Sequence, residues 1–317
     1  MLQLRHILLA RDFSSVSDQA LRYAVDVARR TGAALHVLYA EVLHEDPLTP
    51  VRPDASSSRE DQIRQRLRQG PGGELLTDAY PDLEVRERVE RDVAAAPAIL
   101  RYAADQDVDL IVLGTHGRRG VRRLLLGSVA EEVVRRADRP VLTVRQAGAT
   151  EDGTLAIERI LVPVDFSENA KEALRYAREV ADLYGARIDL LHVIEENLHP
   201  AFYVGGVQSI YDVEPNIEEK ALERLRAFYA EVAPDGGPEA QVHVAPGRAA
   251  RTIAQFAEEE GTDLIVMSTH GLTGLEHFLL GSVAEKVVRH VSVPVFTVKA
   301  FGKSLLDRAA RADAAAE

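Results

Sequence analysis

The sequence predicts an α/β protein in which one domain is built twice. Each copy is an open, mainly parallel sheet with helices on both faces. Three observations predict this. The chain repeats itself at a nearly constant offset: HILLARD (6–12) answers RILVPVD (159–165), and each is followed by Phe-Ser and then ALRYA. Asp12 and Asp165 stand 153 residues apart, as do Gly32 and Gly185, and 22 of 37 positions are identical between Asp109–Arg145 and Asp263–Lys299. A register kept over a whole domain length marks a duplication rather than a short-repeat solenoid. Within each copy, short apolar runs alternate with amphipathic segments, the pattern of βαβ units. The length, 317 residues, is that of two domains at roughly 100–200 residues each.

Taken in order, each copy opens with Ile7–Ala10 or Ile160–Val164, too short for a helix and suited to a strand buried on both faces. Ser14 or Ser167 then caps a helix. Its apolar face is Ala20, Leu21, Ala24 and Val25, or Ala173, Leu174, Ala177 and Val180, at helical spacing. Gly32 and Gly185 stand where that helix ends. The second strands are ALHVLYA (34–40) and RIDLLHVI (187–194), followed by charged helical regions at 58–69 and 214–232. The third strands are LEVRERV (83–89) and AQVHVA (240–245), with helices over 94–105 and 248–260. DLIVLG (109–114) and DLIVMS (263–268) are the fourth strands. Helices start near Ser128 and Ser282, and PVLTVR (140–145) and PVFTVK (294–299) close each copy as the fifth strand. The domains are therefore 1–146 and 158–300, joined by a small, polar linker at 147–157 and followed by a tail at 301–317 to which no function is assigned.

Composition narrows the function. The net charge of -12 repels phosphate backbones and argues against a nucleic-acid partner. The chain has no cysteine, hence neither a disulfide framework nor a thiolate metal site. No run approaches the roughly 18 apolar residues of a membrane helix, and the N-terminus lacks a signal peptide's cleavage pattern. The expectation is a soluble, cytoplasmic protein without a membrane partner.

The chemistry is concentrated in a loop that occurs twice, GTHGRRGVRRLLLGS (114–128) and STHGLTGLEHFLLGS (268–282). In the first copy it reads Gly114-x2-Gly117-x9-Gly127-Ser128. It leaves a buried strand and returns at a helix N-terminus, on the side of an open α/β sheet where ligands bind. Glycines allow close backbone approach, and the unpaired N–H groups of a first helical turn favour an anion. A phosphate cradle is the functional reading. Ordinary turn chemistry is the competing one, and duplication favours the first. Neither GxxxxGK[ST] nor a GxGxxG after the first strand is present, so this is neither a Walker loop nor a dinucleotide fingerprint. The first strand ends instead in Asp12 or Asp165, a carboxylate able to accept from a nucleoside, or simply a helix entry.

Together, the glycine pattern and the strand-end aspartate resemble the universal stress protein family, here as a tandem two-domain member covering about 5–145 and 158–299. The resemblance implies a five-stranded parallel sheet of the adenine nucleotide alpha hydrolase type in each copy. It also implies ATP with a divalent cation, magnesium or manganese, and an intramolecular pseudo-dimer paired through the last strands, 141–145 with 295–299. A homodimer is compatible with it. Carried over, the first site comprises Ala10, Arg11, Asp12, Ala40, Gly114, His116, Gly117, Gly127, Ser128 and Val129. The second comprises Pro163, Val164, Asp165, Val193, Ser268, His270, Gly271, Gly281, Ser282 and Val283. Ser128 and Ser282 are the candidate metal contacts, through a phosphate-bound cation. Ser268 replaces the first glycine of the second loop, and Ala10-Arg11 replace Pro163-Val164. The first copy, with its complete glycine set, reads as the surer site, and both are candidates.

His116 and His270 occupy equal positions inside the loops, and a structural or ligand-contact role outweighs catalysis. Arg118, Arg119, Arg122 and Arg123 form a basic cluster found only in the first copy, either anion-binding or simply solvated. No nucleophile–histidine–acid triad can be read and no catalytic residue is assigned. The leading function is a nucleotide-regulated stress-response protein with little or no hydrolysis. The alternatives are a slow ATPase or adenylate-handling enzyme, and a partner-binding scaffold that has lost nucleotide binding.

Overall fold

A computed structural model describes residues 2–42, 55–70, 72–115, 126–145, 155–195, 209–271, 280–299 and 303–306, with side chains from residue 59 in the second stretch. The chain divides into two compact units, Met1–Leu155 with Phe301–Glu317, and Ala156–Ala300. Residues 43–54, 146–154 and 196–208 lie outside the described residues.

Unit 1 runs β1 (His6–Ala10), α1 (Ser15–Thr31), β2 (Ala34–Val42), α2 (Ala55–Leu67), α3 (Leu76–Ala79), β3 (Val85–Asp92), α4 (Ala95–Asp105), β4 (Leu110–Gly114), α5 (Ser128–Arg136) and β5 (Val141–Val144). Its strands are parallel, in the order β3-β2-β1-β4-β5. Ile7 lies in register with Leu35 on one side and Leu110 on the other. The central strands are apolar because they are covered on both faces: Ile7, Leu8, Leu9 and Ile111 are fully buried. Helix α1 packs on β1 and β4, while α4 packs on β2, β3 and α5. The predicted caps form. Ser14 Oγ accepts from the Ser17 N–H, and Gly32, at φ 70°, terminates α1 in the left-handed conformation that glycine adopts most cheaply.

Unit 2 repeats the plan as β6 (Arg159–Pro163), α6 (Glu168–Tyr184), β7 (Arg187–Ile194), α7 (Ile210–Val213), α8 (Ile217–Val232), β8 (Ala240–Pro246), α9 (Ala249–Glu259), β9 (Leu264–Ser268), α10 (Ser282–His290) and β10 (Val295–Val298). Within it the order is β8-β7-β6-β9-β10, again all parallel. Two short helices, α3 and α7, have no counterpart in the sequence reading. The predicted linker is less polar than expected at its end, where Leu155 and Ile157 are both buried.

Among the described residues no helix is long and apolar enough to cross a membrane. The segment 303–306 belongs to unit 1. Lys303 Nζ lies 2.7 Å from both Asp107 Oδ1 and Asp109 Oδ1. The Gln3 N–H donates to the Leu305 carbonyl (3.0 Å), and Leu305 is buried. Asp109 Oδ2 meanwhile accepts from the backbone N–H groups of Arg5 and His6.

Candidate functional site

The carboxyl ends of β6, β7 and β9 and the start of α10 surround a cleft of about 730 Å³ in unit 2. It lies where the chain departs from β6 to β7 on one side and returns to β9 on the other, the switch point at which open α/β sheets bind ligands. All ten residues expected for the second copy line it: Pro163, Val164, Asp165, Val193, Ser268, His270, Gly271, Gly281, Ser282 and Val283.

The Asp-Phe-Ser entry sets the aspartate. Phe166 has φ 64° and its counterpart Phe13 φ 62°, a left-handed backbone that is costly for a bulky residue. The turn is held from both sides. Ser167 Oγ caps α6 at the Ala170 N–H and donates to Asp165 Oδ1 (2.6 Å), which also accepts from the Ser167 N–H. The Phe166 ring packs on His192, at 4.5 Å between centroids, and under the Arg224 guanidinium at 4.1 Å. With Oδ1 so engaged, Oδ2 faces the loop glycine, and a Cβ added at Gly271 would stand 2.5 Å from it. In unit 1 Asp12 Oδ1 accepts from the Ser14 N–H, and Phe13 lies against Tyr39 and under Arg66, whose guanidinium is 4.0 Å away.

The loop is drawn together at its base. The Gly281 N–H donates to the Thr269 carbonyl at 2.8 Å and the Gly127 N–H to the Thr115 carbonyl at 2.7 Å. A Cβ on Gly281 would come within 2.8 Å of the Thr269 carbonyl oxygen, so the close approach itself requires glycine there. Helices α5 and α10 then begin with Gly127 and Gly281 as N-caps and no side-chain cap, unlike α1 and α6, which serine caps. The first residues of α10, Ser282, Val283 and Ala284, line the cleft, where first-turn N–H groups and the helix dipole suit an anion.

Two histidines line the cleft. His270 Nδ1 pairs with Thr269 Oγ1 at 2.9 Å, and its backbone N–H donates to Ser268 Oγ. His192, which also lines the cleft, bonds the Val164 carbonyl through Nδ1. Glu195 Oε1 accepts from the Ala249 N–H at the start of α9. Helix α8 adds a wall through Ile217, Lys220, Ala221 and Arg224, and Ile210 of α7 and Ala249 and Ile253 of α9 also line the cleft. Sequence reasoning missed these side chains and Phe166. The one available signal was that Asp-Phe-Ser is identical in both copies. Among the described residues no group of three His, Asp or Glu side chains is placed to hold a metal ion.

In unit 1, Ala10, Arg11, Asp12, Ala40, Gly114, Gly127, Ser128 and Val129 occupy the corresponding strand and helix ends. His116, Gly117 and the arginines at 118, 119, 122 and 123 lie outside the described residues. Gly114 has a reason other than ligand approach: an added Cβ would sit 3.0 Å from Val16 Cγ1 and 3.2 Å from the Val16 carbonyl carbon. A side chain at this position would require the first turn of α1 to give by a few tenths of an ångström.

The model of the Universal stress protein family matches the chain twice, over residues 3–145 and 156–299. A universal stress protein of Mycobacterium tuberculosis strain H37Rv is 28% identical over 303 residues, covering 92% of this chain and 96% of its own. One from Methanocaldococcus jannaschii is 32% identical over 153 residues, 45% of this chain and 94% of its own. Among solved structures, a universal stress protein from Archaeoglobus fulgidus aligns over 95% of this chain and 98% of its own, with a TM-score of 0.65 at 22% identity, a likeness of fold.

Proposed function

The chain belongs to the universal stress protein family and carries its domain twice, and from that premise we propose that it binds ATP in the cleft of unit 2 as a regulatory ligand, with little or no hydrolysis. The observation that carries this reading is the convergence of a strand-end carboxylate, a glycine-pinched loop and an uncapped helix start on one cleft. The cleft volume lies within the roughly 300–1,000 Å³ usual for small-molecule sites. The residues fit the ligand's parts. Apolar Val164, Val193 and Ile217 flank the base, Asp165 Oδ2 receives ribose hydroxyls, and the Ser282–Ala284 N–H groups receive phosphate, with magnesium held by the phosphates and the Ser282 hydroxyl. A side chain at Gly271 would collide with the Asp165 carboxylate and displace it, since an added Cβ would stand 2.5 Å from Oδ2.

Low turnover is supported by how several ionisable atoms of the cleft are used. Asp165 Oδ1, Glu195 Oε1, and the Nδ1 atoms of His192 and His270 are each engaged by protein groups. General acid–base catalysis needs such a group aimed at the transferring proton. Binding that changes affinity for a partner rather than ATP itself is the role these contacts suit.

Isothermal titration of the full chain with ATP and magnesium tests the reading. Binding is expected, and Gly271→Val, whose side chain would push the Asp165 carboxylate aside, is expected to weaken it at least 100-fold with the circular dichroism spectrum unchanged. Unaltered affinity in that variant, or turnover above roughly 1 per second, the low end for enzymes, would refute the assignment.

A further inference from the structure

Phe13 and Phe166 are boxed in the same way by different residues. Each follows a strand-end aspartate in a left-handed backbone, at φ 62° and 64°, which is costly for a bulky side chain. One neighbour comes from the second strand of the copy. Tyr39 lies 5.4 Å from Phe13, and His192, 153 positions later, 4.5 Å from Phe166. A second neighbour is the Arg11 guanidinium at 5.3 Å in unit 1 and the edge-on Phe228 ring at 5.8 Å in unit 2. The third is an arginine on the following long helix. The Arg66 guanidinium of α2 is 4.0 Å from the centre of Phe13, and that of Arg224 on α8 is 4.1 Å from the centre of Phe166.

These last two arginines do not follow from the repeat. They stand 158 residues apart, and the residue 153 positions after Arg66 is Glu219. Helices α2 and α8 have lost the common register, yet each brings a guanidinium over the same ring. A geometry reached from two registers points to a need of the turn itself. In unit 2 that turn carries Asp165. Ser167 holds Oδ1, while Oδ2 lies so close to Gly271 that an added Cβ would be 2.5 Å away. The carboxylate has no slack on the loop side, so its aim depends on Phe166 keeping its strained conformation. Such strain persists only where the surroundings over-determine it. His192 is tied to the Val164 carbonyl through Nδ1 at 2.8 Å. Helix α8 supplies the other two contacts, Arg224 and Phe228, one turn apart, and a guanidinium is attracted to the face of an aromatic ring.

We propose that Arg224 is a positioning residue for nucleotide binding in unit 2: stacked on Phe166, it holds the left-handed turn and keeps Asp165 aimed at the ribose of the ligand. The inference rests on the nucleotide reading of this cleft, in which Asp165 Oδ2 receives the ribose hydroxyls. Arg224 itself lines the cleft, and its effect is carried through the Phe166 ring and the carboxylate beside it.

Photo-labelling of the full chain with 8-azido-ATP and magnesium, mapped by peptide mass spectrometry, reads unit 2 through the label on residues 158–299. Competition by ATP and by 2′,3′-dideoxy-ATP then measures what the ribose hydroxyls contribute. In the unaltered chain ATP is expected to compete about 10-fold better, the scale of losing a hydrogen bond to a charged group. Arg224→Met is expected to cut that preference to about 2-fold, with the circular dichroism spectrum unchanged. Phe166→Ala is expected to do the same, and Arg224→Met added to it to change nothing further, because the two act along one chain of contacts. Equal weakening of both nucleotides by Arg224→Met, with the preference intact, would overturn the inference, since Arg224 would then meet the ligand directly or serve only the fold. So would an additional loss of preference in the double variant. Equal competition by the two nucleotides in the unaltered chain would remove the ribose contact of Asp165 and the inference with it, and leave nucleotide binding standing. Absence of any label on 158–299 that ATP displaces would overturn the nucleotide reading as well.

Discussion

His36 lies on β2 with no solvent exposure. Its Nδ1 is 2.8 Å from the Tyr102 hydroxyl and its Nε2 3.2 Å from His6 Nδ1. Burial, with further contributions from His6 and Arg86, lowers its pKa to about 4. The folded state therefore keeps the imidazole neutral, while the unfolded chain takes up a proton near pH 6.5. Stability from this residue is complete above pH 6.5 and is lost as pH falls towards 4, by up to about 3 kcal/mol. Denaturant melts followed by amide exchange in β1 and β2 should show unit 1 weakening between pH 7 and 4.5. A His36→Leu variant should lose most of that slope, and an unchanged slope would show that other groups carry it. At this scale the sequence was legible where one residue type answers one need. Gly32 and Gly185 take positive φ as helix ends. It was less legible at Gly114, where the close neighbour is Val16 of α1, a contact between elements that no local pattern announces.

Helix α6 shows how an element and a site share a residue. Ser167 caps its N-terminus through Ala170 and fixes Asp165 through the same hydroxyl. Ser167→Ala should cost about 1 kcal/mol for the lost cap and should also weaken ATP binding, because the carboxylate is no longer held at the strand end. Lower stability with full affinity would show that the backbone turn alone places Asp165. The order of strands and helices was readable from alternating apolar runs, and the cleft residues on β9 and α10 from the duplicated loop, whereas Pro163, Val164 and Val193 entered only through the family resemblance. The wall from α8 was not. Lys220 and Arg224 sit in a charged helix, where a side chain turned to the cleft and one turned to water look alike.

At the scale of the molecule, unit 1 is completed from beyond unit 2. Leu305 is buried in it, and Lys303 neutralises Asp109, whose side chain is 3% exposed. Removing a cation from a buried carboxylate and a leucine from its seat leaves one unpaired charge and one cavity. The double variant Lys303→Ala, Leu305→Ala should lower the stability of unit 1 by about 2 kcal/mol or more and leave unit 2 unchanged, read by amide exchange across the two sets of strands. Equal loss in both units, or none, would contradict this account. The feature has a consequence during synthesis. A ribosome delivers the strands of unit 1 first, and domains fold as they emerge. The piece that seats against Gln3 and Asp109 is translated only after the whole second copy. A message cut short anywhere in copy 2 yields a first domain with an open seat and an unneutralised aspartate. The nascent first domain reaches full stability only after the second has been made, which ties its lifetime in the cell to completion of its twin.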